Sequence, residues 1–399
     1  MSIYDDLKVM EIDQLIPLDY KRRWVKVREM MAKENMAGLI AYSNCKITGN
    51  TVYLADYLPR FGGWESVGGT DCVNFGSALV FLPLEGEPVT LTDLGWDVLR
   101  AQEESQVPDT RHSNDFGVDL AKIIKGRGIT GHIGIAPWFI FPAAAFNALT
   151  ALCPNNTFGA TKILEKARQI KEDAELQRMR QAQHATELGV LAGLNAVKEG
   201  VTEAYLCNIV EYTMKEHGDL FLGSESIVGT GVHTSSGSVS AKKYIKCKDG
   251  DLVQFDICGR YEGYCGDVSR VKICGNVKPS DDVKRLYDAV LAMNTAVREA
   301  MKPGVLPSEL QKLGHNIAMK DFGFKKENLI PLTGHCVGLD IHEPPDYGVD
   351  ETPLAPNMVI TVEPCLVWKG VAGIRVEDLM LITEKGSECL SLTSRDLVY

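Results

Sequence analysis

The stretch Gly250-Asp-Leu-Val-Gln-Phe-Asp256-Ile-Cys-Gly-Arg-Tyr-Glu-Gly263-Tyr-Cys-Gly-Asp267-Val-Ser-Arg-Val-Lys-Ile273 decides the fold. Asp251–Asp256 and Tyr264–Ile273 have the β-branched and aromatic content of strands, and Arg260-Tyr-Glu-Gly263 supplies a turn between them. A turn centred between residues 261 and 262 sets Asp256 opposite Asp267. Two carboxylates side by side on a sheet repel, so the pair requires a proton, a cationic neighbour or a bound cation.

Further along, Met358-Val-Ile-Thr-Val-Glu363 and Gly373-Ile-Arg-Val-Glu377-Asp-Leu379 make a second hairpin around Lys369-Gly370-Val371, in which Glu363 faces Glu377. The corresponding acids of the two hairpins lie 107 and 110 positions apart. A helical unit repeats at a similar offset of 104: Ala196-Val-Lys-Glu-Gly-Val201 with Thr202 and Glu203 matches Ala300-Met-Lys-Pro-Gly-Val305 with Ser308 and Glu309. In each copy the glycine suits a helix C-cap and the hydroxyl residue the next N-cap. An internal duplication follows, with one acidic pair per copy. Brought together by a pseudo-two-fold axis, four carboxylates nearly neutralise two divalent cations and form an oxygen-rich cage with a bridging water.

Imidazole narrows the choice of cation. Thr333-Gly-His335-Cys-Val-Gly-Leu-Asp-Ile-His342-Glu-Pro-Pro345 carries two of the eight histidines in a Gly- and Pro-punctuated segment. Histidine suits manganese, cobalt, zinc or iron and is a poor ligand for calcium or magnesium. Taken singly, Asp267 and Glu377 also read as ordinary strand residues, and His335 as a core histidine.

The rest of the chain bounds the answer. Its 399 residues suggest two or three domains, and 45% hydrophobic with 24% charged residues is globular composition. A net charge of -11 argues against nucleic acid and anionic membrane as partners. The longest apolar stretch, Ile133–Phe146, contains Pro137 and Pro142, is too short to span a bilayer, and reads as a buried strand and loop. The amino terminus shows no secretory pattern. Eleven scattered cysteines without a CxxC pair suit reduced thiols in the cytoplasm. Residues 21–164 alternate helical segments with apolar runs such as Ala37–Tyr42 and Ala78–Pro83, an α/β pattern. The charged stretch Ala167–Glu175 precedes a long helical pattern and places a boundary near residue 165, giving domains 1–164 and 165–399.

In the quoted hairpin blocks, in Gly334-His-Cys-Val-Gly-Leu-Asp-Ile-His-Glu-Pro344, in Val362-Glu-Pro364 and in Ile374-Arg-Val-Glu-Asp378, the sequence resembles the pita-bread metallopeptidase family. That family includes Xaa-Pro dipeptidase, aminopeptidase P, methionine aminopeptidase and creatinase. The ordered set covers essentially all of residues 165–399. The resemblance implies an α/β fold with an N-terminal creatinase-like domain and a C-terminal pita-bread catalytic domain. It implies two divalent metal ions, manganese first with cobalt, zinc or iron as alternatives, held by Asp256, Asp267, His335, Glu363 and Glu377, with Asp267 and Glu377 bridging. It places His342 near the scissile bond and Arg375 behind Glu377 or the substrate. Members of this branch usually dimerise.

The implied chemistry is hydrolysis of a C–N bond by a bridging hydroxide, with an Xaa-Pro dipeptide as substrate. Glu363 would pass a proton to the leaving nitrogen and His342 would donate to the oxyanion. One departure bears on the substrate: the peptidases carry a histidine about 17 residues before the first metal-binding aspartate, and Val239 stands there, in Gly231-Val-His233-Thr-Ser-Ser-Gly-Ser-Val-Ser240. His233 fills the role if the loop is realigned. Otherwise the role is missing, which motivates a second reading: a non-peptidase on the same scaffold, like creatinase, ectoine hydrolase or dimethylsulfoniopropionate lyase, acting on a small charged metabolite that Arg60 and Trp64 could clasp. A catalytically silent interaction protein is the third reading, opposed by the intact set of five ligand residues.

Overall fold

The computed structural model describes residues 14–60, 76–219, 221–331, 333–347 and 351–397. Two compact units emerge: Leu18–Arg168, and Gln169–Tyr399 joined by the segment that precedes Leu18.

The first unit is built on a mixed six-stranded sheet of β1 (Met36–Asn44), β2 (Ser77–Pro83), β3 (Val89–Thr92), β4 (Thr110–His112), β5 (Gly131–Ala136) and β6 (Asn156–Ala160), ordered β4-β3-β2-β1-β5-β6. The runs Ala37–Tyr42 and Ala78–Pro83 pair antiparallel as β1 and β2. Their apolar side chains Ile40, Tyr42, Leu79 and Phe81 are fully buried against Leu120 and Ile124 of the helix Phe116–Gly126. The stretch Ile133–Phe146 departs from the expected strand and loop. Only its start is a strand, Trp138–Ile140 is a 3-10 turn, and a helix runs over Ala143–Leu152. Phe139 is 74% exposed there. Among the described residues no helix is long and apolar enough to cross a membrane.

The second unit shows the duplication. The helix Asp173–Ala196 is followed by Glu203–His217, and the helix Asp281–Ala300 by Pro307–Lys320. Gly200 and Gly304 have φ of +85° and +88° and occupy equivalent turns. The N–H of Gly200 donates to Cys247 O (2.9 Å) and that of Gly304 to Leu354 O (2.8 Å). They are turn glycines, not the expected C-caps: the helices end earlier, with Val197 and Met301 as cap residues. Thr202 caps its helix as expected, its hydroxyl accepting from Tyr205 N–H. Ser308 does not, because Pro307, with its φ preset and no N–H to satisfy, takes the first helical position and moves the cap to Leu306.

Each copy supplies a hairpin. In the first, β7 (Ile227–Thr230), β8 (Leu252–Tyr261) and β9 (Tyr264–Ile273) form an antiparallel sheet. Gly259 and Gly266 face one another in it. A Cβ on Gly266 would lie 2.5 Å from backbone atoms of Ala182 and Gln183, so the bare position lets the helix Asp173–Ala196 lie directly on the strands. In the second copy, β10 (His335–Cys336), β11 (Glu343–Asp346), β12 (Val359–Val362), β15 (Asp378–Ile382) and β16 (Ser387–Cys389) form one sheet, and β13 (Cys365–Trp368) with β14 (Ala372–Arg375) the outer part of the hairpin. All ten described cysteines are free.

Candidate metal centre

The first hairpin turns through Glu262 and Gly263, both with positive φ (45° and 83°), the geometry of a two-residue type I′ connection. The turn centre therefore sits one residue further along than expected. Asp256 is opposite Ser269 and Asp267 opposite Cys258, so the two aspartates are diagonal neighbours instead of a facing pair. They still share a face, since alternate residues of a strand point the same way.

The second hairpin keeps the expected register, with Trp368 opposite Ala372 and Cys365 opposite Arg375. The same register resumes at Val362 opposite Asp378. Glu363 and Glu377 lie in the gap between these two ladders, where Pro364 has no N–H to give. Their own N–H groups go elsewhere: Glu363 donates to Thr333 O (2.9 Å), and Glu377 to Ser269 O (3.1 Å). The second bond couples the hairpins.

All five expected ligand residues are at least nine-tenths buried. Among the described residues, Asp267, His335 and Glu377 each offer a donor atom within 4.8 Å of the others. His335 Nε2 lies 3.2 Å from Glu363 Oε1 and 3.8 Å from Asp267 Oδ2. Its Nδ1 is 3.1 Å from Cys336 O, which leaves Nε2 facing the carboxylates. Asp256 joins through Ser269, whose hydroxyl is 3.0 Å from Asp256 Oδ1 and 2.7 Å from Glu377 Oε2.

Crowding of like charge dominates the electrostatics. Burial, with the charges of Glu377 and Asp256 added to it, pushes the Asp267 carboxyl well above the usual carboxylate range. Burial, with Glu363 and Asp256, does the same to Glu377. Burial opposes a charged His335, but Glu363 and Glu377 outweigh it and move the imidazole up to about 9. Burial also opposes an ionised Glu363, yet Arg375 and His335 hold it below its ordinary value. Glu377 Oε1 is buried with no hydrogen-bond partner. A buried orphan oxygen among four acids and one imidazole is the donor set that divalent cations satisfy.

Arg375 ion-pairs with Asp256, and its Nε lies 3.4 Å from Glu363 Oε2. His342 is solvent-exposed and stands edge-on to His335, with ring centroids 4.1 Å apart. His233 goes to a different partner. It sits on the 3-10 turn Gly231–Ser236, and its Nδ1 is 2.7 Å from Glu203 Oε1. Glu203 is wholly buried and also accepts the N–H groups of Thr230 and Lys242, each at 2.9 Å. Val239 is buried against Gly229, so no imidazole occupies that place. Trp64 lies outside the described residues.

Three supporting residues escape sequence reasoning. Ser269 and Gln254 lie two positions from Asp267 and Asp256, so period-two reading of the strands could have found them. Gln254 Oε1 accepts the Arg375 N–H at 2.8 Å. Gln183 Oε1 accepts the Asp267 N–H at 2.9 Å from a helix far away in sequence, and no local pattern announces it.

The family model for metallopeptidase family M24 matches residues 177–384. The chain is 28% identical over 94% of its length to the Xaa-Pro dipeptidase of Pyrococcus horikoshii, 97% of which is covered. It is 32% identical over 59% of its length to that of Pyrococcus furiosus, covering 67% of the relative. The crystal structure of the prolidase from Pyrococcus horikoshii OT3 superposes with a TM-score of 0.81 at 25% identity, over 94% of this chain and 99% of that one. Fold and buried acidic cluster together define a metal-dependent peptidase with the pita-bread architecture. The chain belongs to metallopeptidase family M24, whose members use divalent metal ions. The small-metabolite reading is not favoured by these likenesses.

Proposed function

We propose that this hydrolase is an Xaa-Pro dipeptidase, and that Asp256, Asp267, His335, Glu363 and Glu377 hold two divalent cations, manganese in the first instance with cobalt, zinc or iron as alternatives. The observation that carries the reading is the convergence of Asp267, His335 and Glu377 within 4.8 Å, with Glu363 on the same imidazole. The Xaa-Pro dipeptidases among its relatives support the substrate class. When bound, the cations supply an activated water and polarise the scissile carbonyl.

The remaining work falls to the chain. Glu363, held ionised by Arg375 and His335, is in the state that takes a proton and returns it to the leaving nitrogen. His342, braced edge-on against His335, donates to the oxygen on which negative charge develops. His233, held by Glu203, contacts the substrate beyond the scissile bond. The protein works as a homodimer, and its free thiols suit the reducing cytoplasm.

The test is a panel of Xaa-Pro dipeptides offered to protein stripped by chelator and reloaded. Turnover with manganese or cobalt and none after stripping is the expected result. Absence of turnover of every dipeptide by fully loaded protein overturns the proposal.

A further inference from the structure

His342 is exposed and its ring has an imidazole neighbour on one side, so something else must fix the loop that carries it. The next residue, Glu343, provides the hold. Its Oε2 lies 3.2 Å from Lys171 Nζ, and the two side chains are only 5% and 1% exposed. Its other oxygen, Oε1, accepts the N–H of Asp340 at 3.2 Å, closing the loop on itself. Space for that carboxylate is reserved in the backbone: a Cβ on Gly338 would lie 2.5 Å from both Glu343 oxygens. Lys171 is itself anchored, its N–H donating to Asn357 O at 3.0 Å. Across the loop, Cys265 N–H, two residues before Asp267, donates to Gly338 O at 2.8 Å.

A buried ion pair is an expensive way to gain stability, since desolvation offsets most of the attraction and apolar replacements often do as well. What such a pair supplies is a fixed position for both partners. We infer that Lys171 and Glu343 form a latch that positions His342 for catalysis, a role resting on the proposed function of His342 above. Both are positioning residues: neither belongs to the five proposed ligands, and the latch acts through the backbone step from Glu343 to His342. Because the donation by His342 develops only in the transition state, loosening the latch lowers kcat and leaves KM nearly unchanged.

The test is a double-mutant cycle on metal-loaded protein, combining Lys171→Met with His342→Ala, with metal content and KM measured for each variant. The expected result is a fall in kcat of about 10- to 100-fold for Lys171→Met, of a size with the loss of an oriented donor. KM and two metal ions per chain are retained, and no further loss appears when His342 is already alanine. Lys171→Arg restores most of kcat. The double variant Lys171→Met/Glu343→Met, which leaves no unpaired buried charge, checks that the fold survives; it shows the same low kcat. Losses that multiply in the cycle, or a Lys171→Met chain as active as the parent while His342→Ala is impaired, overturn the latch alone. An unimpaired His342→Ala overturns the role of His342 and the latch with it.

Discussion

Ser269 Oγ stands 2.7 Å from Glu377 Oε2, a contact that ties the first hairpin to the second. The same oxygen is 3.0 Å from Asp256 Oδ1, yet a hydroxyl has one hydrogen to give. Without cations, one of these carboxylates must bring the second hydrogen, which agrees with the raised affinity of Glu377 for a proton.

Protons and metal therefore compete for one site. Asp267 and Glu377 hold protons more tightly in the folded metal-free chain than when unfolded, so their contribution is full below the ordinary carboxylate range and is lost as pH rises. His335 acts in the same direction, its contribution present below about 6.5 and lost as pH rises through about 9. Glu363 and His342 have the opposite sign. The contribution of Glu363 disappears only as pH falls below the ordinary carboxylate value, and that of His342, moved down to about 4 by burial and by the charge of His335, grows only until pH reaches about 6.5. Between about pH 6.5 and 9, the melting temperature of stripped protein falls with rising pH. The increment given by saturating manganese grows over the same range, and calorimetry in buffers of different ionisation enthalpy registers proton release on loading. A stripped protein whose stability rises across this window contradicts the assignment.

Removing one acid separates the cost of crowding from the benefit of coordination. Asp267→Asn keeps the shape of the side chain and deletes a charge that Glu377, Asp256 and Glu363 all repel. The stripped variant melts higher than stripped parent protein, binds fewer than two ions per chain, and loses dipeptide hydrolysis. Elemental analysis and thermal melts check both directions at once. A variant with full metal content removes Asp267 from the ligand set.

How much of this centre could be read beforehand differs between the two hairpins for a physical reason. Around Gly370 the three-residue turn has its glycine at the middle, and the register of Cys365 with Arg375 follows from the sequence. Around Glu262 the type I′ turn forces a non-glycine residue to positive φ, a conformation uncommon enough that the stretch Arg260–Gly263 misleads by one residue. The error turns a facing pair of aspartates into a diagonal one without moving either to the other face, because both strand periods are intact. Ser308 as a cap failed similarly, to Pro307 one position earlier. Long-range supports such as Gln183 under Asp267 and Lys171 under Glu343 leave no local trace, since they join segments 84 and 172 residues apart.

Arg375 spans Asp256 and Glu363, pairing with the first and lying 3.4 Å from the second. Lysine carries the charge but not the planar fork that reaches two carboxylates together. Arg375→Lys is expected to weaken manganese binding by about 10- to 100-fold, the usual effect of altering a residue that orients ligands. At saturating metal most of kcat returns. Activity measured as a function of free manganese distinguishes this outcome from direct participation in catalysis, in which kcat stays low at every metal concentration.

His233 is tied to the buried Glu203, a carboxylate that also gathers the N–H groups of Thr230 and Lys242. Removal of an imidazole that only binds substrate raises KM and spares kcat. His233→Ala therefore raises KM for Xaa-Pro dipeptides several-fold with kcat little changed. Glu203→Gln, which weakens three bonds to the same carboxylate, has the larger effect on melting temperature. Unchanged KM in His233→Ala removes this histidine from the substrate site.

Gly266 joins fold to function at a single missing side chain. A Cβ there would meet the Ala182 and Gln183 backbone at 2.5 Å, and helix backbone cannot turn aside as a flexible side chain does. Gly266→Ala is expected to cost about 1–3 kcal/mol, the usual range for overpacking, which lowers the melting temperature by about 1–4 °C in a chain of this size. The displaced helix carries Gln183, whose Oε1 holds the N–H of Asp267 at 2.9 Å, so manganese affinity falls along with stability. Ala182→Gly in the same chain does not relieve the clash, since the atoms contacted are main chain. A Gly266→Ala protein that melts and binds manganese like the parent would show that the helix is free to withdraw from the strands, and that Asp267 does not depend on it.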